Sequence, residues 1–431
     1  MPLDSMGPVY ASWAKRFNSD LVSASALGTT LVVIDSYDIA VELLEKRAAK
    51  YSSRPVSVMA CELMGWDCIF AFLPYSDAWR DRRKLFRFLL DLNETPDEFY
   101  GLVRHMVGGL AISLAYGLPI QRRHDPLHMV DAIPALKHIP AWCPGGGSKR
   151  FANANKWMSG AFRAEPYEKA DKSFWHRGPN GRASEVAKGR DLEVILDTAC
   201  TIFATSADTS TNSILSFIFA LATHPEYRRK IHAELDSVLA DRSGTLRLPT
   251  LEDRESLPFL MAAVMESQRW APVIPIGIPH RTTEDDVFEG YSIPKGTAQA
   301  RSMLNNEKVF GPDPYSYNPE RFIRPNATGK GVEINPSVRH PNTIAFGFGR
   351  RSCPGSHLAQ STLWLTAACL LTLYEFETPA SEKANYVGPD GSIDKERWDA
   401  GFVCHPRPFK CEFKVRSPQA AALLAELGIE M

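Results

Sequence analysis

The ten residues from Phe346 to Gly355, Phe-Gly-Phe-Gly-Arg-Arg-Ser-Cys-Pro-Gly, constrain this chain more than any other stretch. They have the form Phe-x-x-Gly-x-Arg-x-Cys-x-Gly and run straight into an apolar, helically spaced segment, Leu358 to Tyr374. One cysteine on a glycine-rich turn before a helix suits thiolate ligation of a haem iron. The sulfur must be deprotonated, and the partial positive charge at the following helix N-terminus favours that. The backbone must pass close to a flat macrocycle, which Gly349 and Gly355 permit because they lack a Cβ. Arg351 can pair with a haem propionate, and Phe346 can pack beside the sulfur. A thiolate ligand pushes electron density onto iron and favours O–O cleavage. Burial in a core is the commonest fate of a free cysteine, but it requires none of the residues fixed around Cys353.

On these residues the stretch resembles the cysteine loop of the cytochrome P450 haem-thiolate monooxygenases, and its surroundings resemble their fungal, microsomal-type members. The resemblance extends from about Gly7 to Lys414. It implies a mainly α fold with small β-sheets, organised as one domain over residues 1–431, with a β-hairpin region near 20–35 and the haem loop at 346–355. It implies haem b held by Cys353 as the metal ligand. The reaction it implies is insertion of one oxygen atom from O2 into an apolar small organic substrate. Electrons from NADPH arrive through NADPH-cytochrome P450 reductase, and the setting is fungal secondary metabolism at the cytosolic face of the endoplasmic reticulum membrane. Two rivals remain open: a haem-binding remnant without turnover, and an electron-independent haem-thiolate isomerase or dehydratase.

Composition narrows the field only a little. By length alone 431 residues could form two or three domains. A net charge of −1 gives no reason to expect nucleic acid. The eight cysteines contain no C-x-x-C pair, so neither a zinc site nor a redox motif is indicated, and they suit a reducing compartment. No signal peptide is visible, and no apolar run reaches the ~18 residues of a membrane span. Microsomal relatives begin with an anchor and a Pro-rich hinge. This sequence starts with neither, so the expectation is peripheral membrane contact or a cytoplasmic location.

Along the chain, Leu21–Ala26 and Thr29–Ile34 flank Gly28 as a hairpin, and Ser36 or Asp38 caps a helix over 39–49. Residues 54–72 read as irregular; the resemblance puts them over the distal haem face. Trp79 to Leu90 is a basic helix in which Trp79 and Arg83 share a face. The resemblance makes them the Trp-x-x-x-Arg pair that reaches a propionate. Arg80, Lys84 and Arg87 form a second stripe, either a solvated face or a docking patch for an acidic electron donor. Val103–Tyr116 is helically patterned, whereas 117–190 shows little periodicity and is shorter than in relatives.

Residues 192–224 form one long helical pattern stopped by Pro225. Within it, Asp208 and Thr209 match the family's acid–hydroxyl pair, which implies a proton relay at the oxygen site. Alone, such a threonine reads as a hydroxyl bonded to a helix carbonyl. Thr205 and Ser206 depart from the family's small pair. Glu266 and Arg269, three apart, match its Glu-x-x-Arg, and Arg321 in Pro319–Phe322 completes the implied ion-pair network that holds the cysteine loop. Residues 273–278 resemble the strand beside the haem, and His280 is implied to bind the other propionate. Tyr291–Thr297 is a turn between strands, and residues 401–405 resemble a hairpin tip that enters the pocket.

Overall fold

The computed structural model describes residues 6–26, 28–91, 129–169, 192–241, 244–329, 331–379, 398–399 and 403–426. The pattern at Val103–Tyr116 lies outside these.

Eight helices of nine residues or more occur among them: α1 (Met6–Phe17), α2 (Asp77–Asp91), α3 (Gly147–Lys169), α4 (Leu192–Thr223), α5 (Pro225–Leu239), α6 (Pro258–Trp270), α7 (Ser356–Leu373) and α8 (Pro418–Glu426). α4 is the spine. Its 32 residues contain neither glycine nor proline, and Pro225 then removes a backbone donor and ends it. From Ile214 to Ala222 it is buried on every side and, Ser216 apart, apolar, the mark of a helix inside a core. There Phe217, Ile218 and Leu221 join Leu235 of α5, Leu260 and Ala263 of α6, and Trp364 and Leu371 of α7. Every residue of α7 from Thr362 to Leu373 is buried, as the apolar run predicts.

A four-stranded sheet sits to one side, in the order β1 (Leu21–Ala26), β2 (Thr29–Ile34), β4 (Ala298–Arg301), β3 (His280–Arg281). β1 and β2 pair antiparallel about Gly28, β2 and β4 run parallel, and β3 closes the edge against β4 with His280 opposite Gln299. A second core lies between sheet and helices. It joins Ile34, Leu43, Leu44 and Tyr51 to Ala262 and Met265 of α6, and to Phe322, Ile344 and Phe348. This cluster connects the cysteine loop to α6.

Four local expectations change. Ser36, not Asp38, is the cap: its Oγ accepts from the Ile39 amide at 3.4 Å. The helix expected over 39–49 is Tyr37–Val41, a π-helical turn Glu42–Lys46 and a short helix Ala48–Tyr51. Residues 273–278 are not a strand; only His280–Arg281 pair, because Pro272, Pro275 and Pro279 offer no ladder donors and Gly277 turns at φ +65°. The weakly periodic 117–190 region contains the 23-residue α3. Its inward stripe is Ala152, Asn155, Met158, Ser159 and Arg163, at helical spacing but with little apolar character.

Candidate active site

The cysteine loop crosses from the short helix Asn342–Ala345, through a 3-10 turn Gly349–Arg351, to the start of α7. The Cys353 amide donates to the Phe346 carbonyl at 2.7 Å, closing the loop on itself. Gly347 and Gly349 have φ of +81° and +54°, which glycine adopts without strain. A Cβ on Gly349 would lie 2.3 Å from the Leu44 carbonyl oxygen. The missing side chain at 349 therefore makes room for the π-helical turn Glu42–Lys46. Gly355, at φ −92°, has a backbone that any residue adopts. Gly347, visible in the sequence and passed over, carries the larger constraint of the two.

Cys353 lines a hollow together with Phe346, Ser352, His357 and Gln360. It is exposed by area, yet protein flanks it closely. Burial pushes the thiol up, while the Gly355 amide and the Arg83 guanidinium pull the other way. Coordination to a metal removes a thiol proton outright.

Around this loop the chain buries four cationic or basic side chains from distant segments. Arg54, His280, Arg301 and Arg351 are only 5, 3, 8 and 7% exposed. Their partners are backbone carbonyls: Ala71, Ile278 and Pro279 for Arg54, Tyr51 for His280 Nδ1–H, Ile344 for Arg301, and Ser52 and Leu73 for Arg351. Arg351 Nη1 is buried with no partner. Among the described residues none of the four forms an ion pair with a carboxylate. Burial lowers Arg301 and Arg351 to about 10, and burial plus the neighbouring charges of Arg54 and Arg301 hold His280 well below its ordinary value. The Arg351 guanidinium lies 4.3 Å from the Trp79 ring centroid, and that of Arg83 lies 5.9 Å from it. Arg83 also donates to the Ser352 carbonyl at 2.6 Å. Trp79, Arg83, His280 and Arg351 thus gather around one loop. Arg54 and Arg301 were missed; each lies in an otherwise small or apolar stretch, the one signal that sequence offers. Isolated buried cations are costly, so this donor set fits a flat group with two carboxylates, which haem is.

Glu266 and Arg269 on α6 are both fully buried and bidentate, at 2.7 and 2.8 Å, and Arg321 Nε reaches Glu266 at 3.1 Å. The Asn318 amide also donates to Glu266 at 2.8 Å. Arg269 and Arg321 then take the carbonyls of Leu304, Phe310, Pro312, Asp313, Pro314 and Ser316. The network clamps residues 304–321 directly. It meets the cysteine loop through the apolar cluster that includes Met265, Phe322, Ile344 and Phe348.

On α4, Thr209 Oγ1 donates to the Thr205 carbonyl and Thr205 Oγ1 to the Thr201 carbonyl, both at 2.6 Å. Ser206 does the same to Ile202. Asp208 is exposed and accepts from Asn212 at 3.1 Å. The threonine hydroxyls have the helix-bonded geometry of ordinary threonines, with their oxygen lone pairs still available. On α2, Arg80 and Lys84 are exposed, Arg80 pairs with Asp77, and the Arg87 side chain lies outside the described residues.

A mainly helical fold carrying one thiol on a glycine-rich loop before a buried helix, ringed by unneutralised cations, defines the haem-thiolate class. Comparison with known proteins gives the family. The family model for Cytochrome P450 matches residues 180–413. Cytochrome P450 monooxygenase 98 of Postia placenta is 33% identical over 97% of this chain and 88% of its own length. Tryptamine 4-monooxygenase of Psilocybe cyanescens is 32% identical over 97% of the chain and 90% of its own. A zebra fish cytochrome P450 solved with abiraterone superposes with a TM-score of 0.71 at 22% identity, over 96% of this chain and 100% of that one. The chain belongs to the cytochrome P450 family, and it is a haem-thiolate monooxygenase. Such enzymes use a redox partner, O2 and an organic substrate. The Postia alignment runs over 471 positions, more than this chain has residues, so the relative carries internal segments absent here. Among the described residues no helix is long and apolar enough to cross a membrane.

Proposed function

We propose that Cys353 is the sole protein ligand of the iron of haem b. The enzyme then inserts one atom of O2 into an apolar small organic substrate, with electrons passed from NADPH by NADPH-cytochrome P450 reductase at the cytosolic face of the endoplasmic reticulum. The observation that carries this reading is the cluster of Arg54, His280, Arg301 and Arg351 beside the Cys353 loop, without a carboxylate against it among the described residues. Haem, when bound, supplies O2 activation and substrate oxidation. The chain's own residues bind, orient and protonate. Trp79, Arg83, His280 and Arg351 hold the propionates, with Arg54 and Arg301 adding charge. Phe346, Gly349 and Gly355 shape the loop on which Cys353 stands. Asp208 and Thr209 deliver protons from the α4 face, and Thr209 uses its free lone pairs to hold a water there. Glu266, Arg269 and Arg321 keep the scaffold under the loop in place. The whole of 1–431 acts as one domain, in keeping with a core shared by α4, α5, α6 and α7.

The reductase docks where Arg80 and Lys84 are exposed on α2. Arg350 lies in the same patch: it and Arg80 both have their guanidinium groups 5.4 Å from the Tyr75 ring centroid. A cationic surface beside the ligand loop suits an acidic donor. The deciding experiment is the reduced, CO-bound absorption spectrum of the purified protein. A thiolate-type Soret band is expected; bound haem giving a histidine-type band would reject the ligand assignment.

A further inference from the structure

We propose that Cys68 and Cys200 form a peroxide-driven disulfide that ties the short helical turn Trp66–Cys68 to α4. The two sulfurs lie 3.7 Å apart. They are 5 and 0% exposed and belong to segments 132 residues apart in sequence. Around them pack Ile69, Ala71, Phe72 and Ala204. The backbone is already stitched at this point: the Phe70 amide donates to Thr201 Oγ1 at 3.1 Å, and that hydroxyl reaches the Cys68 carbonyl at 3.4 Å. Two thiols held in contact by a fixed backbone need only a small side-chain adjustment to reach bonding distance.

Either thiol can donate to the other sulfur, and burial opposes ionisation of both. Either sulfur can attack first, Cys200 for instance. Its thiolate displaces hydroxide from hydrogen peroxide, forming a sulfenic acid, and the hydroxide takes up the proton Cys200 released. The Cys68 sulfur then attacks the sulfenic sulfur, its own proton leaving with the sulfenic oxygen as water. In total two thiols and one hydrogen peroxide give one disulfide and two waters.

The bond would sit one helical turn before Ala204 and about two before Asp208 on α4, so it locks the 66–72 wall to the helix that carries the proposed relay. It stands on the thiol geometry alone and is independent of the role of Cys353. The test uses the full-length holoprotein treated with equimolar hydrogen peroxide, alkylated under denaturing conditions and digested without reduction. A Cys68–Cys200 linked peptide that dithiothreitol cleaves is expected, with a melting temperature raised by roughly 5 °C because a long loop is closed. Neither change should appear in Cys68→Ser. If that variant does not fold, the wild-type peptide map decides by itself. Recovery of Cys68 and Cys200 separately alkylated, or Cys200 as sulfinic acid without the linked peptide, would overturn the proposal.

Discussion

Arg351 joins three segments at once. It donates to Ser52 and Leu73, lies over Trp79, and keeps one nitrogen unclaimed two residues from Cys353. Cys353 and Arg351 are therefore separable by experiment. Cys353→Ala removes the thiolate band from the reduced, CO-bound spectrum, whereas Cys404→Ala or Cys369→Ala leaves it; the reverse pattern would refute the assignment. Arg351→Leu keeps the band but weakens retention, with haem lost to a competing apoprotein at least ten-fold faster. Thr209→Ala should bind haem normally, consume NADPH, and release more hydrogen peroxide per product formed. Since Thr205 and Ser206 carry hydroxyls one turn away, the triple variant with Thr205→Ala and Ser206→Gly should uncouple further. Unchanged coupling in the triple variant would remove the relay from this helix.

Elements whose local sequence decides their form were legible. α4 has no internal breaker and a proline stop, and the β1–β2 hairpin turns on Gly28 with φ +79°. α3 was hidden because its inward stripe mixes alanine and methionine with asparagine, serine and arginine: Ala152 packs with Val58, Met59 and Met64, Ser159 donates to the Met64 carbonyl, and Arg163 pairs with Asp197 of α4. Tertiary partners, invisible in one dimension, replace hydrophobicity there. The same holds for the site. The Cys353 loop was readable because its constraints lie within ten residues, while Arg54 and Arg301 meet it only after folding. Two predictions belong at this scale. Glu266→Ala on α6 should yield little soluble holoprotein, since breaking a buried pair costs about 3–5 kcal/mol; full haem content with selective loss of turnover would contradict a structural role. On α5, burial and then Arg416 lower His232 to about 4. The unfolded chain binds that proton near the ordinary value of about 6.5. Between the two values the unfolded state holds more protons, so stability rises with pH up to about 6.5, is complete above it, and is lost as pH falls toward 4. Thermal melts from pH 4.5 to 7.5 should show this slope, and His232→Gln should flatten it.

At the scale of the molecule, the sheet, α6 and the cysteine loop share one apolar cluster, while α4 through α7 share another. Electron delivery reaches this body from outside. Reversing Arg80 and Lys84 to glutamate should slow reduction by the reductase at least five-fold and flatten its salt dependence, with substrate-binding spectra unchanged. Equal reduction rates for both proteins in stopped-flow would dismiss this docking face. The buried cations have a further outcome, for the life of the chain in a cell. A freshly made polypeptide that folds before its cofactor arrives must enclose the guanidinium groups of Arg54, Arg301 and Arg351 with no carboxylate among the described residues to balance them. Binding to the folded form alone adds to stability by mass action, so the pigment supply sets the fraction of chains that survive. Expression in a host starved of porphyrin should then give mostly degraded polypeptide, and feeding a porphyrin precursor should raise total protein, not merely its colour.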